Sequence, residues 1–368
     1  MVDIDSSQWK SGLLSPSEIL SKNDLIPLTS RPSGNPIWKS NNPEQFTSDG
    51  WLMQNSRDGE RGSRRYTNLS GSFAIYLFHI NQTSRNKFLH LLATNPGNST
   101  LTLSGSGSML NNRDFPLPPP PTRRGKGQSY QVARDWLDNS PRVSFNGINI
   151  QPAKASEIDR IRLSPKNMVD GRFELTASNS VFIYNVITST GNFNDAVNLS
   201  QRSAAQGIIV SPGTGRLGRE GGISRHSLWS ETITAEIPVT PSYLGLELNT
   251  RQQTTDYLMR LGDSSFETFG NYGHKYDLTI TLTNSSNSPR NVRLSFASND
   301  TSASVGSLYN GPIRLNNRII DVLNTPSEPS QTLQTFTVNP STTINISLEF
   351  YIPGLITIGQ QLILESIT

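Results

Sequence analysis

From Tyr276 to Leu282 every second residue is apolar (Tyr276, Leu278, Ile280, Leu282), and the residues between them, Asp277, Thr279 and Thr281, are polar. A period of two fits a β-strand with one buried and one wet face; a helix would repeat its apolar positions every three to four residues. Val292, Leu294 and Phe296 give a return strand of the same kind. Residues 73–78 are apolar on both faces, as a strand covered from two sides must be. Residues 88–93 form a second apolar run, and Leu101 and Leu103, set among hydroxyl residues, a half-buried third. Asn95-Pro96-Gly97-Asn98 reads as a turn, because Asn and Gly tolerate positive φ and Pro fixes φ at a turn corner. Only 17% of the 368 residues are charged, and 28 Gly and 23 Pro interrupt the chain, which leaves little room for long solvated helices. The pattern predicts an all-β protein.

The strand pattern recurs. Thr94-Asn95 with Asn98-Ser99 corresponds to Thr283-Asn284 with Asn287-Ser288. Ile148-Asn149-Ile150-Gln151-Pro152 corresponds to Phe336-Thr337-Val338-Asn339-Pro340, and Pro165 to Pro353. In every case the later segment follows the earlier at nearly the same offset, just over half the length of the chain. So constant an offset predicts two tandem β-sandwich domains, of jelly-roll or Ig-like type, related by duplication, with their junction between residues 190 and 225. The first domain is expected over 61–205 and the second over 206–368. Residues 1–60 have scattered Pro, Gly and Asn with little periodicity, and are expected to form an irregular N-terminal arm packed on the first domain. At most one or two short helices are expected, one of them over residues 195–202 with Asn194 as its N-cap. Residues 115–121 read as a stiff polyproline loop.

Cys is absent, which excludes disulfides, thiolate nucleophiles and Cys-ligated metal sites. No apolar stretch approaches the ~18 residues of a transmembrane helix. The net charge of +3 is far short of the basic field that nucleic acid requires, and the basic runs at 61–65 and 123–126 lack interleaved aromatics, so they read as solvated loops. Gly213-Thr214-Gly215-Arg216-Leu217-Gly218 spells G-x-G-x-x-G. Pro212 before it and Glu220-Gly221-Gly222 after it would break the helix such a loop must open, so an interdomain loop is the expectation and no cofactor is assigned.

None of the four His belongs to H-E-x-x-H, and there is no G-x-S-x-G elbow or D-x-[DN]-x-[DN]-G calcium loop, so no catalytic or metal residue is assigned. His79 and His90 read as packed or rim residues of strands. A hydrolase with a spatially assembled His site is the least favoured alternative. All five Trp lie at or before Trp229, mostly in loop-like contexts. Exposed aromatics offer the flat apolar faces that sugar-binding surfaces use, so Trp38, Trp51, Trp136, Tyr272 and His274 are the candidate ligand or partner contacts.

Several segments together resemble an uncharacterised family, the cyanobacterial domain-of-unknown-function family 3370. They are Ile37-Trp38-Lys39-Ser40-Asn41-Asn42-Pro43-Glu44 with Asp49-Gly50, Gly71-Ser72-Phe73 with Phe78-His79-Ile80, the Asn95-Pro96 turn, Pro116-Leu117-Pro118-Pro119, and Gly270-Asn271-Tyr272-Gly273. The resemblance implies an exported, envelope-associated, non-catalytic β-protein, and its Asn-Tyr-Gly segment implies a tight turn that requires Gly. The opening MVDIDSSQWK lacks a basic stretch followed by an apolar one, so the periplasm, outer envelope or medium is expected after removal of a leader, with the cytoplasm as the alternative. The resulting expectation is a structural or binding protein, not an enzyme, acting through a protein partner or self-assembly. A carbohydrate-binding module using the loop Trp residues is the alternative.

Overall fold

The computed structural model describes residues 1–15, 17–28, 31–56, 67–116, 126–202, 204–208, 220–248, 253–298, 308–354, 356 and 359–367. The G-x-G-x-x-G segment, the basic runs at 61–65 and 123–125, and the polyproline run beyond Pro116 lie outside the described residues. The described chain is all-β, with two α-helices: α1 (Gln128–Leu137) and α2 (Phe193–Ser200). Asn192, not Asn194, caps α2; its side chain accepts from the Asn194 N–H at 2.8 Å. Among the described residues no helix is long and apolar enough to cross a membrane.

Two hydrophobic cores divide the molecule into two units. The first gathers Trp38, Trp51, Phe73, Leu91, Phe173 and their neighbours. Its main sheet runs Val143–Ile150, Leu101–Asn111, Met168–Thr188, Leu69–Asn81, Ile37–Asn41, Glu220–Ser224, Tyr257–Arg260. Met168–Thr188 is long enough to serve two layers: past a register shift its second half pairs with Lys87–Thr94 and Gly50–Gln54. The second unit is a sandwich. One sheet carries Leu228–Glu236, Lys275–Asn284, Thr342–Tyr351, Tyr309–Leu315 and Arg318–Asn324, and the other Ser242–Leu248, Gln360–Ser366, Arg290–Ser298 and Ser330–Val338. Tyr276, Leu278, Ile280 and Leu282, the alternating set, face Val292, Leu294, Phe296, Leu362 and Leu364 across its core.

The two units share one strand plan in one register. Thr94 opposes Ala155 and Leu101 opposes Ile150 in the first; Thr283 opposes Thr343 and Arg290 opposes Val338 in the second. The pair Leu103 and Ala177 is matched by Val292 and Ser366. Each of these residues stands from its counterpart at the offset seen in the sequence. The Asn turns are built alike. The Asn95 amide donates to Ser99 O (2.7 Å) and Ile150 O (2.8 Å), and Asn284 donates to Ser288 O and Val338 O, both at 2.9 Å. Their Oδ1 atoms accept from the Gly97 and Ser286 N–H groups. The hairpins opposite turn at Ala153 and Ser341, with φ of 57° and 53°.

The N-terminal segment differs from expectation. Val2–Ile4 pairs in parallel with Leu228–Glu236, while Lys10–Ser11 and Leu25–Pro27 flank Ser242–Leu248. Ile4, Trp9 and Leu28 enter the second core. The arm therefore covers the second unit, not the first, because there it closes the edges of two strands that would otherwise present unpaired N–H and C=O groups. The strands of the first unit already begin at Ile37. Glu220–Ser224 and Tyr257–Arg260, expected in the second domain, extend the first unit's sheet, and Ile223 and Met259 lie in its core.

Candidate functional site

The polar side chains with most chemical capacity converge on the seam between the units. Ile37–Asn41 runs through it, buried at all five positions, between a parallel neighbour (Leu69–Asn81) and an antiparallel one (Glu220–Ser224). Strand alternation sends Trp38 into the first core and Lys39 to the opposite side, where its Nζ meets Glu220 Oε2 at 2.7 Å with both side chains at 0% exposure. Burial pulls the Lys39 amine below its ordinary range; Glu220 opposes that pull and Arg172 adds to it.

Next to it, Ser40 Oγ lies 2.8 Å from His79 Nε2, and His79 Nδ1 lies 2.8 Å from Pro43 O. A carbonyl only accepts, so the proton sits on Nδ1, Nε2 accepts from the Ser40 hydroxyl, and Ser40 in turn accepts from the Asn185 amide at 3.0 Å. Arg172 bridges the units. Its Nε donates to Gly273 O (2.9 Å) and its Nη2 to Glu174 (2.7 Å), and its guanidinium lies over the rings of Trp136 and Tyr351. Asp170, fully buried, accepts from the Gly354 N–H at 3.1 Å, and burial pushes its carboxyl up to about 7. From α1 and the residues leading into it, Lys126, Tyr130 and Arg134 all reach Asp321 of the second unit.

Of the five candidate contact residues, Trp136, Tyr272 and His274 lie at this seam, each with its own partners, while Trp38 and Trp51 belong to the first core. Tyr272 stacks on Tyr76 with ring centroids 6.4 Å apart and donates to Ile356 O. Gly273 follows with φ +77°, and a Cβ there would come within 2.5 Å of Tyr76, so the Asn-Tyr-Gly segment is a turn that accepts only Gly. His274 is fully buried; its Nε2 donates to His226 O at 2.9 Å, and burial drives its pKa well below the ordinary value, which keeps the ring neutral. Trp38 and Trp51 are 0% and 1% exposed, so neither presents a face to a ligand. Trp136 is half-buried and covered by Arg172 and Tyr351. The cavity among Trp136, Arg172, Gly273 and Tyr351 has room for about one water molecule. A roomier one, about 150 Å³, lies under the arm between Glu18, Arg293, Thr332 and Glu365, and no aromatic lines it.

A second imidazole relay stands in the first unit. His90 Nδ1 is 2.5 Å from Glu157 Oε2, and His90 Nε2 is 3.0 Å from Thr188 Oγ1, the order of contacts found in a nucleophile, base and orienting acid. Thr188 is 1% and His90 0% exposed, so no substrate reaches the hydroxyl. Gly191 N–H also donates to the Thr188 oxygen, and the group works as a strut at the end of two strands. Sequence reasoning missed the Lys39 and Glu220 pair, Arg172 and Asp170. No local pattern marks them: Lys39 is followed by Ser40 and Asn41, Arg172 stands between Asp170 and Glu174, and each acquires its partners only through the fold.

With this geometry in view the relatives can be placed. Residues 218–365 match the model of a family described as a protein of unknown function, DUF3370. The chain resembles the DUF3370 family. The matched stretch takes in Glu220, the Asn271-Tyr272-Gly273 turn and both sheets of the second unit, while Lys39, Arg172, α1 and the arm lie outside it. No curated protein matches the chain. Among solved structures it is similar to the N-terminal CBM22-1-CBM22-2 tandem domain of Paenibacillus barcinonensis Xyn10C, at 8% identity over 87% of this chain and 91% of that one, TM-score 0.18. It is also similar to the plant receptor-like kinase FER, at 12% identity over 82% of each chain, TM-score 0.17. At those scores neither likeness carries an argument.

Proposed function

We propose that this protein is a non-catalytic structural or binding component of the cell envelope that works by protein–protein assembly. The observation that carries the proposal is the direction in which its polar chemistry points. The Lys39 and Glu220 pair, the Ser40 and His79 pair, and the relay of Thr188, His90 and Glu157 are turned inward and spent on joining strands and units. What remains outside is sheet edges and faces rich in Thr, Ser and Asn, of which Thr279, Thr281 and Thr283 on one strand are typical. Such surfaces suit contact with another chain better than they suit bond making, since an edge extends by main-chain hydrogen bonds. The sugar-binding alternative loses Trp38 and Trp51 as contacts.

Fractionation of the source cell tests the location, and sedimentation of purified protein over a concentration series tests the assembly. Recovery in the envelope or medium together with concentration-dependent association is expected. A cytoplasmic protein that stays monomeric at all concentrations would overturn the proposal.

A further inference from the structure

Sheet edges are where a β-protein decides whether to associate, and most edges of this one carry a guard. Ala155–Leu163 bears Glu157, Asp159, Arg160 and Arg162; Arg318–Asn324 bears Arg318 and Asp321; Tyr257–Arg260 ends on Arg260. The arm segments carry Asp3, Lys10, Pro27 and Pro32. Charge and proline at an edge discourage pairing with another chain. Gly50–Gln54 has neither and is buried throughout.

Among the described residues two edges longer than two residues are unguarded, the second of them tied at its start by Gln331 to Asp321 O and the Leu323 N–H. Val143–Ile150 reads VSFNGINI and Ser330–Val338 reads SQTLQTFTV, with no charged residue and no proline in either. Among the described residues each pairs on one side only, the first with Leu101–Asn111 and the second with Arg290–Ser298. They occupy the same place in the repeated plan, Ile150 and Val338 being the two carbonyls held by the Asn95 and Asn284 turns. One bulge interrupts each edge and leaves residues 143–145, 148–150, 330–332 and 334–338 in regular pairing.

We propose that these two edges pair with each other between copies of this chain, Val143–Ile150 of one molecule against Ser330–Val338 of the next. The occupant follows from the match in pattern. Phe145 and Ile148 are half-buried against the first core, while Leu333, Phe336 and Val338 face the second core. Ser144, Asn149, Thr335 and Thr337 are exposed on the other face. A joined sheet therefore continues an apolar inner layer and a hydroxyl and amide outer layer with no buried charge. Because the two edges lie on different units, the contact is heterologous, and its repetition gives a ring where the rotation closes and an open chain where it does not. The inference rests on the assembly reading above and names its surface.

The test uses two single variants of the whole chain, Ser144→Lys and Thr335→Lys, each placing a charge at an exposed position of one edge. Sedimentation velocity and native mass measurement are run on wild type, on each variant and on their equimolar mixture. Wild type should form a concentration-dependent series of species, and each variant alone should associate at least tenfold more weakly. The mixture should give a one-to-one dimer and nothing larger, because one partner keeps only its second edge and the other only its first. Variants that associate as wild type does, or a mixture that stays monomeric when wild type associates, would overturn the edge pairing and leave assembly standing. A monomeric wild type would overturn both.

Discussion

At the scale of single residues the seam is governed by burial of charge. Lys39 and Glu220 lose their hydration entirely, and their contact compensates only while both are present. Lys39→Met should destabilise the protein by about 3–5 kcal/mol, since it strands a buried carboxylate, whereas Lys39→Met combined with Glu220→Leu should cost clearly less than that. Urea denaturation of the three proteins measures this; a double variant worse than the single one would refute it. Asp170 and Glu44 hold their protons to higher pH than a surface carboxylate: burial raises each to about 7 from ordinary values of 3.8 and 4.5. Between about pH 4 and 7 the folded protein holds protons that the unfolded chain has released, so this contribution to stability is full at the acid end and is lost as pH rises. Asp170→Asn removes one of the two groups, and its stability relative to wild type should rise from pH 5 to pH 8 by up to roughly 3 kcal/mol. A gap between the two proteins that stays constant across those pH values would show that Asp170 does not titrate there.

At the scale of elements the same solution appears twice, in the turns at Asn95 and Asn284. Each side chain ties its own turn to a carbonyl about 55 residues further along, so it fixes the register of two hairpins at once. Asn95→Ala and Asn284→Ala should each cost about 1–3 kcal/mol, because one buried carbonyl, one partly covered carbonyl and one N–H lose a partner. Across the hairpin, Ala153→Gly and Ser341→Gly should each stabilise by up to about 1 kcal/mol by removing the strain of a Cβ at positive φ. Thermal denaturation reads both pairs, and opposite signs at the two members of a pair would break the equivalence of the units. These turns were legible in the sequence because their cause is local: Asn, Gly and Pro act within a single turn. The alternation from Tyr276 to Leu282 was legible for the same reason. The arm was not, since Ile4, Trp9 and Leu28 follow no period and are held by strands that begin only at Leu228. Helix α1 escaped notice because it is short and starts after Gly127, which supplies no side-chain cap. The candidate site was half legible: Tyr272, His274 and Trp136 all lie at the seam, but Trp38 and Trp51, whose loop-like contexts suggested exposed faces, are packed inside.

At the scale of the whole molecule the chain does not divide at the junction expected between residues 190 and 225. It begins in the second unit with the arm, enters the first at Ile37, lends the first unit Glu220–Ser224 and Tyr257–Arg260, and returns each time to the second. Two units threaded in this way, with Arg172, Asp170 and α1 bonded across the seam, should lose their structure together despite having separate cores. Arg172 is the residue on which that coupling most depends. Its guanidinium supplies the Gly273 carbonyl and fills the space between Trp136 and Tyr351. Arg172→Ala removes these contacts together with its bonds to Phe173 O and Glu174, and leaves the buried Gly273 carbonyl without its donor. Scanning calorimetry of the wild type should therefore give one cooperative transition, and of Arg172→Ala a broadened or divided one. Arg293→Ala, which breaks a pair with Glu365 away from the seam, should lower the wild-type transition without dividing it. Two well-separated transitions in the wild type would mean that the seam joins the units in space without coupling their stability.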